Sequence, residues 1–245
     1  IEKQLLSYMF RVNYDYNNKY LLTVSGRWDG ASQLAEGNKW AFFPSAALGW
    51  RLDQEEFLKD VTWLNQLKFR LGVGVTGNSA IDPYQTKGAI VSLYYPFGSA
   101  LAPGYAASEP LIKDGAVAMA NKNLSWEKTT QYNIGLDYSV LNGRISGVLD
   151  FYTSRTTDLL MAMTIPSLNG YTNTYANVGK TSNIGVDITL NTVNVKTRDF
   201  EWSTSINAAW QKDKIDELAN GKEDDINNNW FIGQALGVIY GYECG

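Results

Sequence analysis

Few residues of this chain have the types and spacing that catalysis requires. Its 245 residues include no histidine and a single cysteine, Cys244, which excludes a histidine base, an intrachain disulfide and an ordinary zinc site. No serine or cysteine stands in a recognisable nucleophile setting. The adjacent acids Glu55–Glu56 and Asp224–Asp225 are most simply solvated pairs. We therefore predict that the chain is not an enzyme and holds no metal or cofactor.

A glycine motif and an acidic motif each match part of a known ligand site. The run Gly72-Val-Gly-Val-Thr-Gly77 has the spacing of a dinucleotide fingerprint, but Asn78-Ser-Ala-Ile-Asp-Pro83 opens no helix after it. Glycines that let a strand bend explain this run better. The run Asp225-Ile-Asn-Asn-Asn229 has the first three ligand positions of a calcium loop, but Trp230 replaces the glycine that such a loop needs. We expect a polar external loop there, with loose calcium binding as the alternative.

Aromatic side chains in predicted loops and at predicted strand ends are the candidates for ligand contact, because their rings stack on sugars or peptides. They are Trp40, Tyr84, Tyr94, Tyr95, Tyr105, Tyr171, Tyr175 and Trp230. The alternative for each is an interfacial girdle, the belt of aromatic residues that anchors a membrane barrel at both surfaces. The girdle accounts for most of the wider set, which also includes Trp28, Trp50 and Trp126.

The elements that position these residues are strands in which apolar and polar side chains alternate. Between Gln131 and Val140, every even-numbered residue is apolar or aromatic and every odd-numbered residue is polar or glycine. Successive side chains of a strand point to opposite faces, so one face is apolar and the other is wet. Strands of soluble sandwiches usually have about 5 or 6 residues, whereas a strand that crosses a bilayer needs about 9 to 11. The pattern predicts an all-β fold, part of a transmembrane antiparallel β-barrel.

The same alternation recurs in eight segments. They cover about 7–16, 20–28, 40–52, 67–76, 126–140, 144–153, 184–190 and 200–210. Predicted lipid-facing side chains in these segments include Tyr14, Leu22, Leu48, Leu71, Ile134, Phe151, Val186 and Trp210. Predicted lumen-facing side chains include Arg70, Asn133, Asp137 and Asp150.

The connections between these segments are predicted to be short after the odd-numbered strands and long after the even-numbered ones, as in outer-membrane barrels. Asn142-Gly143 is a strong hairpin signal. Asp53, with Glu56 three residues later, predicts a capped helical turn through 57–64. The stretches 78–124 and 157–177 show no sustained period and are predicted to be external loops.

Composition agrees with a barrel that has a polar lumen. Aromatic residues make up 13% of the chain while the mean hydropathy is −0.25. The net charge of −4 and the pI of 5.0 give no reason to expect nucleic-acid binding. The sequence contains no stretch of about 18 apolar residues, so it predicts no transmembrane helix. Because the pattern is already under way at Ile1 and stops in a loop-like run at Gly245, we expect an internal fragment of a longer protein.

Several motifs together resemble TonB-dependent outer-membrane transporters of the SusC/RagA type. The most specific is Asn123-Leu-Ser-Trp-Glu-Lys-Thr-Thr-Gln-Tyr-Asn-Ile-Gly-Leu-Asp137. Further matches, in the expected order, lie at 27–30, 40–50, 71–78, 177–187 and 231–241. They span nearly the whole chain, so the resemblance is specific.

The resemblance implies that residues 1–245 are part of the barrel domain, about eight strands of a plugged barrel of about 22. It also implies a SusD-like surface lipoprotein as partner, energy from a TonB–ExbB–ExbD complex through a plug region absent here, and import of oligosaccharides or oligopeptides. The location implied is the outer membrane of a Gram-negative, Bacteroidetes-like bacterium, with lipid around the wall. Two other functions stay open at this point, namely a passive porin and a secreted β-sandwich adhesin.

Overall fold

Thirteen strands account for nearly all the regular structure of the described residues. The structure is a computed structural model that describes residues 2–83, 86, 91–98, 100–106, 118–166, 168, 173–239 and 241. The strands are β1 (Leu5–Tyr16), β2 (Tyr20–Ala31), β3 (Trp40–Arg51), β4 (Leu64–Asn78), β5 (Val91–Phe97), β6 (Ala100–Ala106), β7 (Ala118–Met119), β8 (Glu127–Val140), β9 (Ile145–Thr157), β10 (Leu160–Thr164), β11 (Asn173–Asn177), β12 (Lys180–Lys196) and β13 (Glu201–Glu217). No helix among the described residues is long and apolar enough to span a membrane.

Eight long strands form one antiparallel sheet in the order β1-β2-β3-β4-β8-β9-β12-β13. They are the eight segments that alternation predicts. Each of these eight strands pairs with the next of the eight in sequence order, with the short strands β5–β7 and β10–β11 left outside the sheet. This is the meander expected of an up-and-down barrel wall. Within the described residues β1 and β13 are the sheet's edges, so the wall is open. The fold is therefore a partial barrel, as predicted.

The pairing register places the predicted lipid-facing side chains in one continuous row across the sheet. Consecutive partners in this row are Tyr14, Leu22, Leu48, Leu71, Ile134, Phe151, Val186 and Trp210. Directly opposed side chains in neighbouring strands lie about 4.5–5.5 Å apart, so the row is a contiguous apolar band. All its members except the half-buried Val186 are exposed, for example Ile134 at 46% and Trp210 at 58%. An apolar face of this extent is suited to lipid rather than water.

Aromatic side chains border the apolar band at both ends of β1–β3. At the end that carries the turn 17–19, Tyr20 stacks between Tyr16 and Trp50, with ring centroids 6.5 and 6.4 Å away. At the other end Tyr8 stacks on Trp40 at 6.0 Å, and Trp28 packs against Phe42 at 5.9 Å. These two groups have the positions of interfacial girdles.

Tight turns close the strand pairs at one end of the sheet. Asn17 and Asn18 both adopt φ of 53° between β1 and β2, a left-handed conformation that asparagine tolerates. Asn142 and Gly143, at φ of 57° and 78°, join β8 to β9 and form the predicted hairpin. Residues 197–200 join β12 to β13 at the same end.

The connection after β3 does not follow the predicted alternation of lengths. It covers 52–63 and is longer than the connection 32–39 after β2. The predicted helical turn is also wrong in detail, because two 3₁₀ turns, Leu52–Gln54 and Glu56–Leu58, replace it and neither has a side-chain cap. Asp53 instead accepts hydrogen bonds from the Leu67 amide at 3.2 Å and from Arg51 at 2.9 Å. Tertiary contacts with β4 therefore take the carboxylate that a helix cap would have used.

The pKa of Asp53 is consistent with these hydrogen bonds to its carboxylate. Its partial burial alone would raise the pKa of the carboxyl, but hydrogen bonds from Gln54, Arg51 and the Leu67 amide outweigh that effect and lower the pKa below its ordinary value. The carboxylate thus stays charged and ties the connection to the first residues of β4.

Both long stretches predicted to be loops contain strands. The hairpin β5–β6 lies within 78–124, and β10 pairs with β11 inside 157–177. β11 also pairs in parallel with β7, which comes from the other long stretch. Short strands that pair with distant residues leave no local period, which is why the sequence pattern did not indicate them. The glycines of 72–77 lie in β4, which continues to Asn78.

Candidate functional site: the inner face and the external loops

The long connections gather at one end of the sheet, where a hydrophobic cluster holds them together. The buried members of this cluster, which we call the loop core, are Ala31, Leu34, Phe43, Ile81, Leu124 and Trp126. Leu124 is fully buried, and the rings of Phe43 and Trp126 meet edge to face with centroids 5.3 Å apart. The loop core joins the connection between β2 and β3 to the connection between β4 and β8, and Leu160 and Tyr175 from the connection between β9 and β12 pack against it.

Trp126 belongs to this loop core and not to the girdle. Its side chain is only 4% exposed, and its indole Nε1 donates to the Lys39 carbonyl at 2.9 Å. The girdle interpretation is therefore wrong for this residue. Trp126 directly precedes β8, and alternation alone cannot distinguish a strand-end aromatic that meets lipid from one covered by distant loops.

Side-chain amides bind the external connections to one another. Asn177 and Ser125 exchange two hydrogen bonds, from Ser125 N to Asn177 Oδ1 at 2.7 Å and from Asn177 Nδ2 to the Ser125 carbonyl at 2.8 Å. Gln33 donates to the Ser79 carbonyl at 2.8 Å. Asn121 donates to the Tyr175 carbonyl at 2.8 Å. Because these bonds span residues far apart in sequence, they fix the loops relative to the sheet.

On the inner face, one arginine joins three strands. Arg70 in β4 lies 2.8 Å from Asp137 Oδ1 in β8 and 3.0 Å from both oxygens of Asp150 in β9. Asn133 adds a 3.3 Å hydrogen bond to Asp150. The predicted lumen-facing residues Arg70, Asn133, Asp137 and Asp150 are thus brought together. We call this group the arginine brace.

Gly135 makes the brace possible. It lies between Arg70 and Asp150 in the pairing register, and a Cβ atom there would stand 2.6 Å from the Arg70 guanidinium and 2.5 Å from Asp150 Oδ1. The missing side chain lets the guanidinium cross the strand between its two carboxylates.

The structure separates the predicted aromatic ligand contacts. Trp40 lies on the outer face, stacked on Tyr8, which is a girdle position. Tyr175 in β11 is partly buried against the loop core. The backbones of Tyr94 and Tyr95 lie in β5 and that of Tyr105 in β6, while Tyr84 and Tyr171 lie outside the described residues. Their contact with a ligand remains a prediction.

Trp230 lines a cavity of about 580 Å³. Met161 and Met163 of β10 form one wall, and the acidic run 223–225 forms another. The cavity combines an aromatic surface, thioethers and carboxylates at the loop end of the sheet. Such a combination contacts the apolar face of a sugar or the side chains of a peptide while accepting hydrogen bonds from it.

The calcium-like motif beside Trp230 forms a self-capped turn. Asp225 accepts from the Asn228 amide at 3.2 Å and from Asn228 Nδ2 at 2.7 Å. Asn229 follows with φ of 56°. Asp225 and Trp230 pair through both backbone groups. Among the residues described, no group of three or more acidic, cysteine or histidine side chains is arranged to hold a metal ion.

At the opposite end of the sheet, Glu55 joins the connection after β3 to the girdle. It accepts hydrogen bonds from Trp50 Nε1 at 3.0 Å and Tyr20 OH at 2.9 Å, and pairs with Lys19 at 3.3 Å. The hydrogen bond from Trp50, followed by those from Tyr20 and Lys19, lowers the pKa of Glu55 below its ordinary value.

The chain matches known proteins over nearly its whole length. Residues 2–240 match a family described as TonB dependent receptor-like, beta-barrel. The chain is 41% identical over 231 residues to the TonB-dependent receptor SusC of Bacteroides thetaiotaomicron, covering 90% of this chain and 22% of that protein. It is 35% identical to the TonB-dependent receptor P3 of Formosa agariphila, covering 99% of this chain and 24% of that one.

Solved structures give the same result. The chain superposes on the RagAB peptide importer in its open-open state with a TM-score of 0.83 and 29% sequence identity, covering 95% of this chain and 24% of that chain. A second structure of the RagAB peptide transporter gives a TM-score of 0.81 at 29% identity, covering 95% and 25%. The chain therefore spans about a quarter of the length of the relatives that it matches.

Proposed function

Because the chain belongs to the TonB-dependent receptor β-barrel family, we propose that it forms wall and external loops of an outer-membrane transporter that imports oligosaccharides or oligopeptides. The observation that carries this proposal is the 41% identity to SusC over 90% of the chain. The likeness to the RagAB peptide importer supports the peptide alternative. The family consists of transport proteins of the outer membrane, and we assign no catalytic role to the chain.

The chemical difference between the two faces of the sheet supports a transport function. The outer face carries the contiguous apolar row and the girdles, while the inner face carries the arginine brace. A polar inner face is suited to a lumen that a hydrophilic substrate crosses, and an apolar outer face is suited to lipid. Tyr175 packs against the loop core and Trp230 lines the neighbouring cavity, and in this proposal that end of the sheet is the one that first meets an external substrate.

The proposed partners follow from family membership. A SusD-like lipoprotein at the cell surface captures substrate above the external loops. A TonB–ExbB–ExbD complex supplies energy from the inner membrane. The external hairpin β5–β6 and the cavity at Trp230 are the surfaces that we propose contact the lipoprotein, the substrate or both.

Uptake measurements test this function. Cells with and without the complete gene are given labelled oligosaccharides in one arm and labelled oligopeptides in the other. We expect the gene to confer uptake in one arm, and an uncoupler of the proton-motive force to abolish it. Uptake that persists with the uncoupler would indicate a passive porin. Absence of gene-dependent uptake in both arms would contradict the proposal.

A further inference from the structure

The external rim of the outer face changes character along the sheet. On β1–β3 the outward positions nearest the external end are apolar or aromatic and include Tyr8, Trp28, Trp40 and Phe42. On β8–β13 five of the outward positions at the same end are basic, and the positions between them carry threonine or serine. We call this second group the basic rim, and its members are Lys128, Arg155, Lys180, Lys212 and Lys214.

The strand register shows that these cations face outward. Lys128 has the same parity as Tyr132 and Ile134 along β8, with no register shift between them. Arg155 shares the face of Phe151 on β9, and Lys212 follows Trp210 on the same face of β13. Since side chains alternate with a period of two, the basic rim lies on the same surface as the apolar band. Lys212, which pairs with Ile184, lies at the edge of that band, and Lys128 and Lys180 lie further towards the loop end.

Two of the five cations have acidic partners. Lys180 pairs with Glu217 at 2.5 Å and Lys214 pairs with Asp216 at 3.2 Å. Among the described residues, Lys128, Arg155 and Lys212 form no ion pair, and all three are exposed. Glu127, next to Lys128, lies on the opposite face and accepts from the Leu160 amide at 3.3 Å. The basic rim therefore has a net charge of about +3 at neutral pH.

A surface of this kind needs an anionic partner at a particular depth. A lysine or arginine on the lipid face is unfavourable at the bilayer midplane but costs little at the interface. There it attracts anionic headgroups, and phosphate oxygens form strong charge-assisted hydrogen bonds with lysine and arginine. β8 and β13 are three strand spacings apart, about 14 Å, and Lys212 is offset from Lys128 by four residues along the strands. Cations spread over this distance suit a multiply charged headgroup better than a single small anion.

We propose that the basic rim binds the phosphorylated headgroup of an anionic glycolipid in the outer leaflet, with Lys128, Arg155 and Lys212 as its main contacts. The inference rests on the membrane placement given by the proposed function and is independent of which substrate the transporter imports. Its consequence is a fixed lipid beside the β8–β13 half of the wall, while the aromatic half meets lipid without charge.

The test compares two triple variants of the complete gene product, purified in mild detergent. K128Q/R155Q/K212Q removes the unpaired cations of the basic rim, and K39Q/K122Q/K222Q removes the same charge from external connections. Binding of lipopolysaccharide is measured for each, and K128R/R155K/K212R tests whether charge alone suffices. Each cation at an anionic lipid surface contributes about a fivefold factor, so we expect on the order of a hundredfold weaker binding for the first variant. The control and the conservative variant should stay within a few-fold of wild type.

A second measurement requires no substitution. Wild-type protein is given lipopolysaccharide whose phosphates have been removed chemically, and inorganic phosphate as a competitor. We expect the dephosphorylated lipid to bind far less well and millimolar phosphate to compete poorly. Equal binding of both lipids, or unchanged binding by K128Q/R155Q/K212Q, would overturn the proposal. Full competition by inorganic phosphate would also overturn it, because the rim would then be a site for free phosphate.

Discussion

Arg70 and Asp150 lie on strands that do not touch, yet their side chains meet at 3.0 Å across the strand between them. The guanidinium crosses over Gly135, and its Nε also donates a hydrogen bond to Asp137. The brace therefore connects β4, β8 and β9 on the lumen side, in addition to the backbone ladder.

Replacing Arg70 with glutamine should destabilise the barrel, because two neighbouring carboxylates would remain without their cation. Breaking a fully buried pair costs about 3–5 kcal/mol, but Arg70 is 30% exposed and water screens the charges. We expect a loss of about 1–2 kcal/mol in the free energy of unfolding. Gly135→Ala should give a similar loss by displacing the guanidinium, whereas Gly72→Ala, whose nearest contact would be 3.9 Å away, should not. Urea unfolding of the complete protein in lipid measures all three, and equal stability of the two glycine variants would contradict this role.

The two faces of the wall should respond differently to the same charge. Ile134→Arg and Ile188→Arg place a cation in the outward apolar band and should each cost about 2–4 kcal/mol at mid-membrane depth. Asn133→Arg places it on the inner face beside Asp150 and should cost much less. Folding of the complete barrel into lipid vesicles measures the differences. Comparable losses for all three variants would show that the face assignment is wrong.

The external hairpin should take part in substrate or partner contact. Residues 91–97 and 100–106 form a paired extension, β5–β6, beyond what joining β4 to β8 requires. Long external loops often carry binding or lid functions. We expect that replacing this hairpin with a short glycine-serine linker lowers substrate uptake, lipoprotein co-purification or both, with barrel abundance unchanged. Wild-type values for both would identify the hairpin as a connector.

Trp230 should contribute to substrate affinity. Trp230 is half-buried in the cavity wall, and an aromatic anchor at a binding site typically accounts for about tenfold in affinity. Trp230→Ala should therefore raise the half-saturating substrate concentration for uptake by about that factor. Trp202, exposed on the outer face of β13, provides the matched control. Its alanine variant should lower thermal stability without changing the half-saturating concentration. An unchanged value for Trp230→Ala would exclude a substrate contact in this cavity.

The stabilisation that Glu55 gives through its hydrogen bonds to Trp50 and Tyr20 should be lost in acid. Hydrogen bonds from Trp50 and Tyr20 lower the pKa of Glu55 in the folded protein relative to the unfolded chain. Such a group stabilises the fold above its unfolded pKa, and the contribution disappears as the pH falls through the lower, folded value. Glu55→Gln should therefore be less stable than wild type near pH 7 and converge with it in acid below about pH 4. Thermal unfolding across that range tests the convergence, and a constant difference at every pH would contradict it.

The amino-acid sequence alone determined which eight segments form the wall and which side chains face lipid. Tyr132, Ile134 and Leu136 alternate with polar residues, and the strand geometry that separates them is a local property of the backbone. The Asn142-Gly143 turn is likewise local, because it depends on the φ values that these two residues adopt. The register then aligns the apolar side chains, since a slip by one residue would expose polar groups to lipid.

Only the tertiary structure decided which distant residues meet. Nothing local to Trp126 indicates that Phe43 and the Lys39 carbonyl cover it. Likewise β7 and β11 are strands because they pair with each other across more than fifty residues. Asp53 accepts a hydrogen bond from the Leu67 amide and does not cap a helix. Arg70 reaches Asp150 only because three strands align with a glycine between the charges. Such contacts depend on loop closure and on the pairing of whole strands, which no local period in the sequence records.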